Sequence, residues 1–497
     1  MQREHGFTLI QGPPGTGKTK TILGLTGALL SQDKDAARTA NNKLLICAPS
    51  NAAVDEIVKR LKSGIRDSRG VTFKPRVVRV GQSDHISSTV RDTTLDFLME
   101  QALNANTTQA LGAKETRKSA LGQQRTLRAQ LDEINVEIRE LDSQMQRTDP
   151  SSTAALREMR EKFHSVKQRK QRVCQQLEQE RARAREASKA MDERKQRVRM
   201  QILQSTDILC CTLSGSGHDM LTSLKCAFDT VIIDEAAQSI ELSCLIPLKY
   251  ECNRCVLVGD PLQLPPTVFS QSATKHGYNK SLFVRVQQNA PESVSLLSIQ
   301  YRMHPEISAL PSRLFYNSRL KDGPEMAAKQ CAPWHRNERY PPFVFLNIQS
   351  GREQKGALHS VFNMQEVEAA VQLVFGLCQD YPKLSWKQRI GVITPYKQQL
   401  RKLVEAFRKH FGPSATDAIE CNTVDGFQGQ EKDIIIFSCV RAGEAGVGFL
   451  ADRRRMNVGL TRARKSLFVL GNAKMLGGSP LWKSLIDDAN TRGLLKN

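Results

Sequence analysis

Short runs of consecutive apolar residues alternate along the chain with stretches whose apolar positions recur every three or four residues. FTLI (7–10), KLLICAP (43–49), PRVVRVG (75–81), DILCCT (207–212), FDTVIIDEA (228–236) and CVLVGD (255–260) are the runs of the first part, and FVFLNI (343–348), IGVITPY (390–396), DIIIFSCV (433–440) and SLFVLGN (466–472) those of the second. Short strands that are apolar throughout belong to parallel sheets covered on both faces. The pattern therefore predicts two α/β domains with parallel sheets.

Between Arg91 and Met200 the texture changes. Glycine and proline nearly vanish, and Gln, Arg, Lys and Glu dominate. Leu127, Leu131, Ile134, Ile138, Leu141 and Met145 recur with alternating steps of four and three, and Leu156, Met159, Phe163, Val166, Val173 and Leu177 keep nearly the same rhythm. Such spacing is the seam of a coiled coil. TDPSST (148–153) supplies a proline and capping residues between the two segments, so the insert should be a long antiparallel helical hairpin. Arms of about 30 residues or more would protrude on the order of 45 Å. Its second arm is rich in Arg and Lys from Arg181 to Arg199, which reads equally as a solvated face or as nucleic-acid contact.

At 497 residues the chain exceeds one ordinary domain and suggests about three. The expected bounds are 1–90 with 205–295 for a discontinuous first domain, 91–204 for the hairpin and 296–497 for the second. A net charge of +21 and a pI near 9.6 call for a polyanionic partner, nucleic acid ahead of an acidic membrane surface. No apolar run approaches about 18 residues and no signal-peptide core opens the chain, so a soluble, intracellular protein without a membrane partner is expected. The twelve cysteines are scattered and read as reduced core thiols. Cys252 and Cys255 form a lone C-x-x-C with no second pair at zinc spacing, so Mg²⁺ accompanying a nucleotide is the one metal expected.

GPPGTGKT, from Gly12 through Pro13, Pro14, Gly15, Thr16, Gly17 and Lys18 to Thr19, lies between an apolar strand and an amphipathic helix. That is the setting a P-loop requires. The glycines let backbone N–H groups approach phosphate oxygens, the helix amino end adds a favourable dipole, and Lys18 and Thr19 can reach the β/γ-phosphates and Mg²⁺. VIIDEAAQ (231–238) ends a buried strand with paired carboxylates. Asp234 can hold Mg²⁺, and Glu235 is placed to polarise an attacking water as general base. Gln263 in LVGDPLQLPP is a neutral polar group suited to sensing a γ-phosphate. Tyr301 and Arg302 in SIQYRMHPEIS set a ring suited to stacking on a base beside a planar cation suited to a phosphoryl group. Glu431, Arg462 and Arg464 follow in two further motifs. A second domain with arginines but no P-loop can place arginine fingers across a cleft.

Pro49, Ser50 and Asn51 stand at a strand's carboxyl end where a helix begins, a terminus able to bind a nucleic-acid phosphate; Ser50 and Asn51 also read as simple N-caps. Thr212, Thr394 and Thr423 raise the same possibility at matching strand ends.

In order, GPPGTGKTKT, APSNAAVDE, DEAAQ, GDPLQLPP, QYRMHPEIS, TVDGFQGQEKD and GFLADRRRMNVGLTRAR resemble the motifs of the superfamily 1 helicases of the Upf-like group, and most closely its senataxin-like members. The resemblance covers both α/β domains and implies RecA-like folds, ATP and Mg²⁺ as cofactors, 5′ to 3′ translocation on single-stranded RNA or DNA, and unwinding of duplexes and RNA–DNA hybrids. By position, Lys18, Thr19, Asp234, Glu235, Gln263, Arg302 and Arg462 would form the ATPase site, Tyr301 and Glu431 would hold adenine and ribose, and the insert would be the family's prong. It further implies a nuclear monomer acting in transcription termination and R-loop removal with transcription or RNA-processing proteins; relatives in cytoplasmic RNA decay share most motifs, so a cytoplasmic location is the alternative. Family members carry a β-barrel and an adenine-gripping glutamine upstream, whereas here eleven residues precede Gly12 and Gln11 adjoins the P-loop. A trimmed piece or a shortened gene product is therefore expected. The rival readings are an ATP-gated RNA clamp without processive unwinding, and a scaffold whose charged hairpin docks other proteins.

Overall fold

The computed structural model describes residues 6–31, 43–105, 107–148, 153–222, 228–356, 360–443 and 446–497. The chain forms two compact units, one of Met1–Pro75 with Ile208–Asn497 and one of Arg76–Asp207.

The first unit contains two parallel sheets. In one, β1 (Gly6–Gln11), β2 (Leu44–Ala48), β3 (Ile208–Thr212), β4 (Thr230–Ile233), β5 (Arg254–Gly259) and β6 (Val294–Leu296) lie in the order β3–β2–β4–β5–β1–β6, with every one of these pairings parallel. β2 and β4 are buried at every position, the burial that an uninterrupted apolar run demands. In the other, β7 (Phe343–Asn347), β8 (Ile390–Thr394), β9 (Ile419–Thr423), β10 (Lys432–Ser438), β11 (Ala463–Gly471) and β12 (Leu495–Lys496) lie in the order β9–β8–β10–β11–β7–β12, again parallel throughout.

Alternation along these strands divides their side chains between two cores. Phe345, Ile435, Phe437, Leu467 and Val469 join Ile307 and Leu310 of one helix and Trp482 and Leu485 of another. Val344, Ile434, Ile436, Phe468 and Leu470 pack instead with Val367, Val371, Leu403 and Phe407. The two parallel-sheet α/β domains that the hydrophobic pattern predicts are thus present. The pattern misses β6, β9 and β12. Edge strand β9 carries Glu, Asn and Thr among its five residues and is only partly buried after Ile419, so it lacks the all-apolar signature.

The second unit holds two long helices, Thr107–Arg147 and Thr153–Ser205, of 41 and 53 residues. Ile134, Val166 and Val173 form their shared core with Leu127, Leu131, Ile138 and Leu141 packed against it, as the heptad spacing requires. Both helices exceed 30 residues, because Ala, Gln, Glu, Lys and Arg sustain helix beyond the apolar seam. Ala120 and Ala187 are buried there, and Gln124 Nε2 donates to Glu180 O at 2.9 Å. The centre of the TDPSST turn, 149–152, lies outside the described residues. Several cations of the second arm are spoken for within it: Arg181 pairs with Glu178 and Arg183 with Glu180, each at 2.8 Å. Arg76 and Asp207 close the unit, with Asp207 N donating to Arg76 O at 3.0 Å and their side chains paired at 2.7 Å. Among the described residues no helix is long and apolar enough to cross a membrane.

One buried acid anchors the loop that leaves β10. Glu366, near the start of the helix Met364–Asp380, is fully enclosed. Its carboxyl accepts from Ser438 Oγ at 2.6 Å and from Val440 N at 2.8 and 2.9 Å. Val440 is left-handed at φ +71°, a conformation a β-branched residue adopts only when its surroundings hold it there. Burial raises the Glu366 carboxyl to about 8 against the opposing hydrogen bonds from Ser438, Val440 and Cys439. The folded protein therefore keeps a proton that the unfolded chain, with a glutamate pKa of about 4.3, gives up. Stability is expected to fall as pH rises from about 4.3 to about 8, and Glu366→Gln should flatten that slope. Urea midpoints of both proteins at pH 5.5 and 8 check this; equal slopes would contradict it.

Candidate nucleotide site and strand-end loops

The P-loop runs from β1 into the helix Lys18–Ser31. Gly12 N donates to Gly259 O on β5 at 2.9 Å, tying the start of the loop to the next strand. Gly12, Pro13 and Pro14 are buried, and Thr16 Oγ1 donates to Pro13 O at 2.7 Å. Gly15 and Gly17 take φ of +76° and +82°, which a side chain would oppose. Lys18 opens the helix and its Nζ donates to Gly12 O at 3.1 Å, so the ammonium lies back across the loop. Thr19 follows it in the first turn, half-buried.

Across the sheet, Asp234 and Glu235 leave β4. Asp234 N donates to Cys47 O at 2.8 Å, and Asp234 Oδ1 accepts from Glu235 N at 2.9 Å. Burial, reinforced by the neighbouring Glu235 and offset by Lys18, raises the Asp234 carboxyl to about 7. Glu235 is left-handed at φ +50° and its carboxylate accepts from Gln238 Nε2 at 2.5 Å. Backbone strain of this kind, on the order of 1–3 kcal/mol, concentrates at functional turns.

The second sheet's domain meets this loop directly. Tyr301 N donates to Gly15 O at 2.8 Å, and a Cβ on Gly15 would stand 2.6 Å from Arg302 Cβ. Arg302 Nη1 donates to Thr461 O at 3.1 Å and its guanidinium is paired with Glu431, which also takes Arg464. Burial works to raise the Glu431 carboxyl, but Arg302 and Arg464 hold it below the usual range. Tyr301 is half-exposed, its ring lying over Gly323. Arg462 is 2% exposed. Its Nη2 donates to Gln263 Oε1 of the first domain at 3.2 Å and its Nε to Val458 O at 3.0 Å. Burial, with Arg302 nearby, lowers its pKa to about 9.

Three residues that the motif reading did not single out complete this junction. Asp260, 2% exposed, accepts from Gln263 Nε2 at 2.8 Å, from Gln11 Nε2 at 3.4 Å and from the Tyr316 hydroxyl at 2.7 Å. Asn457 Nδ2 donates to Tyr316 Oη at 2.7 Å and to Leu262 O at 2.8 Å. Asp260 and Asn457 stood within quoted motifs, so position was the available signal; Tyr316 carried none.

The strand-end residues share one arrangement. Ser50 Oγ caps the helix Asn51–Lys62 by accepting from Ala53 N at 3.3 Å, and Thr212 Oγ1 accepts from Gly215 N at 3.1 Å. Thr423 Oγ1 accepts from Gly426 N at 3.1 Å and Thr394 Oγ1 from Tyr396 N at 3.4 Å. Each hydroxyl thus receives a backbone N–H and retains its own proton to donate. Ser50 and Pro49 are exposed, Asn51, Thr212 and Thr423 half-buried, and Thr394 fully buried. Among the described residues no group of three or more His, Cys, Asp or Glu gathers as a metal site, and the described cysteines, Cys252 and Cys255 included, form no disulfide.

A P-loop on one parallel sheet, an acidic pair two strands away on the same sheet and arginines from a second parallel-sheet domain define a two-domain P-loop nucleoside triphosphatase. Residues 1–271 match a family model described as an AAA domain, and residues 278–474 match another of the same description. The chain belongs to the superfamily 1 helicases of the Upf-like group, a family of ATP-dependent helicases. It is 43% identical to helicase SEN1 of Saccharomyces cerevisiae over 99% of its own length and 23% of that protein. It is 43% identical to helicase sen1 of Schizosaccharomyces pombe over 99% of the chain and 30% of that protein. With the probable helicase senataxin of Homo sapiens it shares 34% over 98% and 18% respectively. The chain therefore spans less than a third of these relatives.

Gly15→Ala places a methyl against Arg302 and forces φ +76° on a residue that resists it. Nucleotide affinity is expected to fall at least about tenfold, roughly 1.4 kcal/mol, and the strain should lower the thermal midpoint modestly. Binding of a fluorescent ATP analogue alongside a melting curve checks both.

Proposed function

We propose that the chain is the motor of a helicase that moves 5′ to 3′ on single-stranded RNA or DNA and unwinds duplexes and RNA–DNA hybrids. The observation that carries the reading is the reach of Arg302 and Arg462, from the second domain, to Gly15 and Gln263 of the first. Cleavage at a P-loop would then require both domains. The working parts are the first domain at 1–90 with 205–295, the hairpin at 91–204 and the second domain at 296–497.

In this scheme Gly12 to Gly17 cradle the phosphates, Lys18 neutralises the β/γ oxygens and Glu235 orients the attacking water. Gln263 reports the γ-phosphate to Arg462, and Arg302 and Arg462 stabilise the charge that develops on transfer. Tyr301 and Glu431 hold base and ribose. Thr19 and Asp234 would hold Mg²⁺: a carboxyl raised by burial beside another acid is a fitting ligand for a dication. The metal would supply neutralisation of the phosphate oxygens. Pro49, Ser50, Asn51 and Thr212 on one sheet, and Thr394 and Thr423 on the other, would hold the strand's phosphates, so closing and opening of the cleft moves the two groups alternately. Likeness to SEN1 and senataxin supports a nuclear role in transcription termination and R-loop removal, alongside transcription or RNA-processing proteins.

Strand displacement on RNA, DNA and hybrid duplexes with a tail at either end tests the reading. ATP-dependent unwinding of 5′-tailed substrates is expected, and ATP-dependent binding without unwinding would leave a clamp. Arg462→Ala should still bind ATP but lose about 10²–10³-fold or more of RNA-stimulated turnover, the effect of removing a transition-state donor. Unchanged stimulated turnover would rule out a shared site.

A further inference from the structure

Beside the strand-end threonines the second domain carries a cavity of about 480 Å³, lined by Ser360, Tyr396, Lys397, Arg401, Thr423 and Phe449 among others. Its size falls in the ~300–1,000 Å³ range of small-ligand sites. Phe449 is 60% exposed, although its turn is firmly mounted. Trp482 Nε1 donates to Leu450 O at 2.8 Å, Arg441 Nε donates to Gly446 O at 2.8 Å, and Arg441 is paired with Glu353 at 2.8 Å. Tyr396 packs against the ring edge-on, centroids 5.9 Å apart at 70°. The Arg455 guanidinium stands 5.7 Å from the ring centroid and is fixed by Asp425 at 3.0 Å and Asp452 at 3.1 Å.

A rigid, exposed aromatic ring in a largely apolar recess lined also by cations is an unfavourable way to leave apolar area in water, and a favourable way to receive a flat aromatic ligand carrying negative charge. Around Phe449 the cavity offers Lys397, Arg401 and Arg455 against the single carboxylate of Asp425. It also contains Thr423, whose hydroxyl keeps a proton to donate. Flat rings joined by phosphates are the chemistry of a polynucleotide, and single strands are held by basic tracks with aromatic stacking platforms.

We infer that Phe449 is a stacking platform for one base of the bound single strand, with Lys397, Arg401 and Thr423 on the adjoining phosphates. The inference rests on the nucleic-acid reading above and adds to it a residue that grips a base face. Because every base has such a face, the contact holds the strand without selecting its sequence.

The test is fluorescence anisotropy of a labelled oligouridine with the whole chain, across a series of salt concentrations. Phe449→Ala and Phe449→Leu should each weaken binding on the order of tenfold with the salt slope unchanged, because the lost contact carries no charge. Phe449→Trp should restore the affinity. Melting curves of the variants should match the wild type, the ring being largely exposed. Wild-type binding matched by Phe449→Ala, or by Phe449→Leu, would overturn the platform and leave the nucleic-acid reading intact. A loss of affinity that changes the salt slope would equally overturn it. A wild type that fails to bind the strand would overturn the nucleic-acid reading itself.

Discussion

The buried guanidinium of Arg462 is the constraint on which the junction of the two domains depends. It lies almost wholly out of water, and its hydrogen bonds go to neutral oxygens of Val458, Thr461, Gln430 and Gln263. Among the described residues it has no carboxylate in ion-pair contact. A cation in that position is costly unless nearby dipoles are fixed on it, and burial lowers its pKa accordingly. Gln263 is such a dipole only while Asp260 holds its amide nitrogen, because that bond turns the oxygen toward Arg462. Asp260 in turn is shared by Gln11 next to the P-loop and by Tyr316 of the second domain. One acid therefore orients groups on both sides of the cleft, and the buried Arg462 charge is left short of a counterion.

Parallel topology explains why so much chemistry gathers at one end of each sheet. Strands that all run the same way present their carboxyl ends together, where loops are free to vary. The P-loop follows β1, the acidic pair follows β4, and Asp260 and Gln263 follow β5. Thr212 ends β3 opposite Ala48 of β2, with Ser50 two residues beyond, and Thr394 pairs with Thr423 across β8 and β9. In both sheets a hydroxyl at the strand end is consumed as acceptor by its own turn. The same local solution appears in two domains, and in each it fixes the oxygen while sparing the proton.

Much of this was legible in the sequence, for a physical reason. Buried parallel strands need uninterrupted apolar runs, and all ten such runs are strands, PRVVRVG among them at Val77–Val80. The heptad seam gave the helical hairpin, because knobs such as Ile134 and Val173 must recur in step with the helix. The strands that escaped were short or at an edge, where polar residues blur the pattern. The P-loop glycines announced their dihedral angles in advance. What composition and motif could not convey was pairing: that Glu431 binds Arg302 and Arg464, that Asp260 rather than Gln263 is the hub, or that Thr394 is sealed beneath its turn. Such facts depend on which segments approach in space, and no local spacing encodes them.

The two arginines offered to the first domain are not equivalent. Arg302 is neutralised by Glu431, itself shared with Arg464, whereas Arg462 has neutral partners alone. Glu431 also sits one residue before β10, whose first residue, Lys432, donates its N–H to Arg462 O at 3.1 Å. The carboxylate that holds one arginine and the backbone that holds the other are thus neighbours on a single chain segment. Any shift of that segment toward or away from the P-loop must alter both cations together. The approach to β10 thus joins the segment that holds both arginines to the strand whose far end leads to Val440, pinned by Glu366.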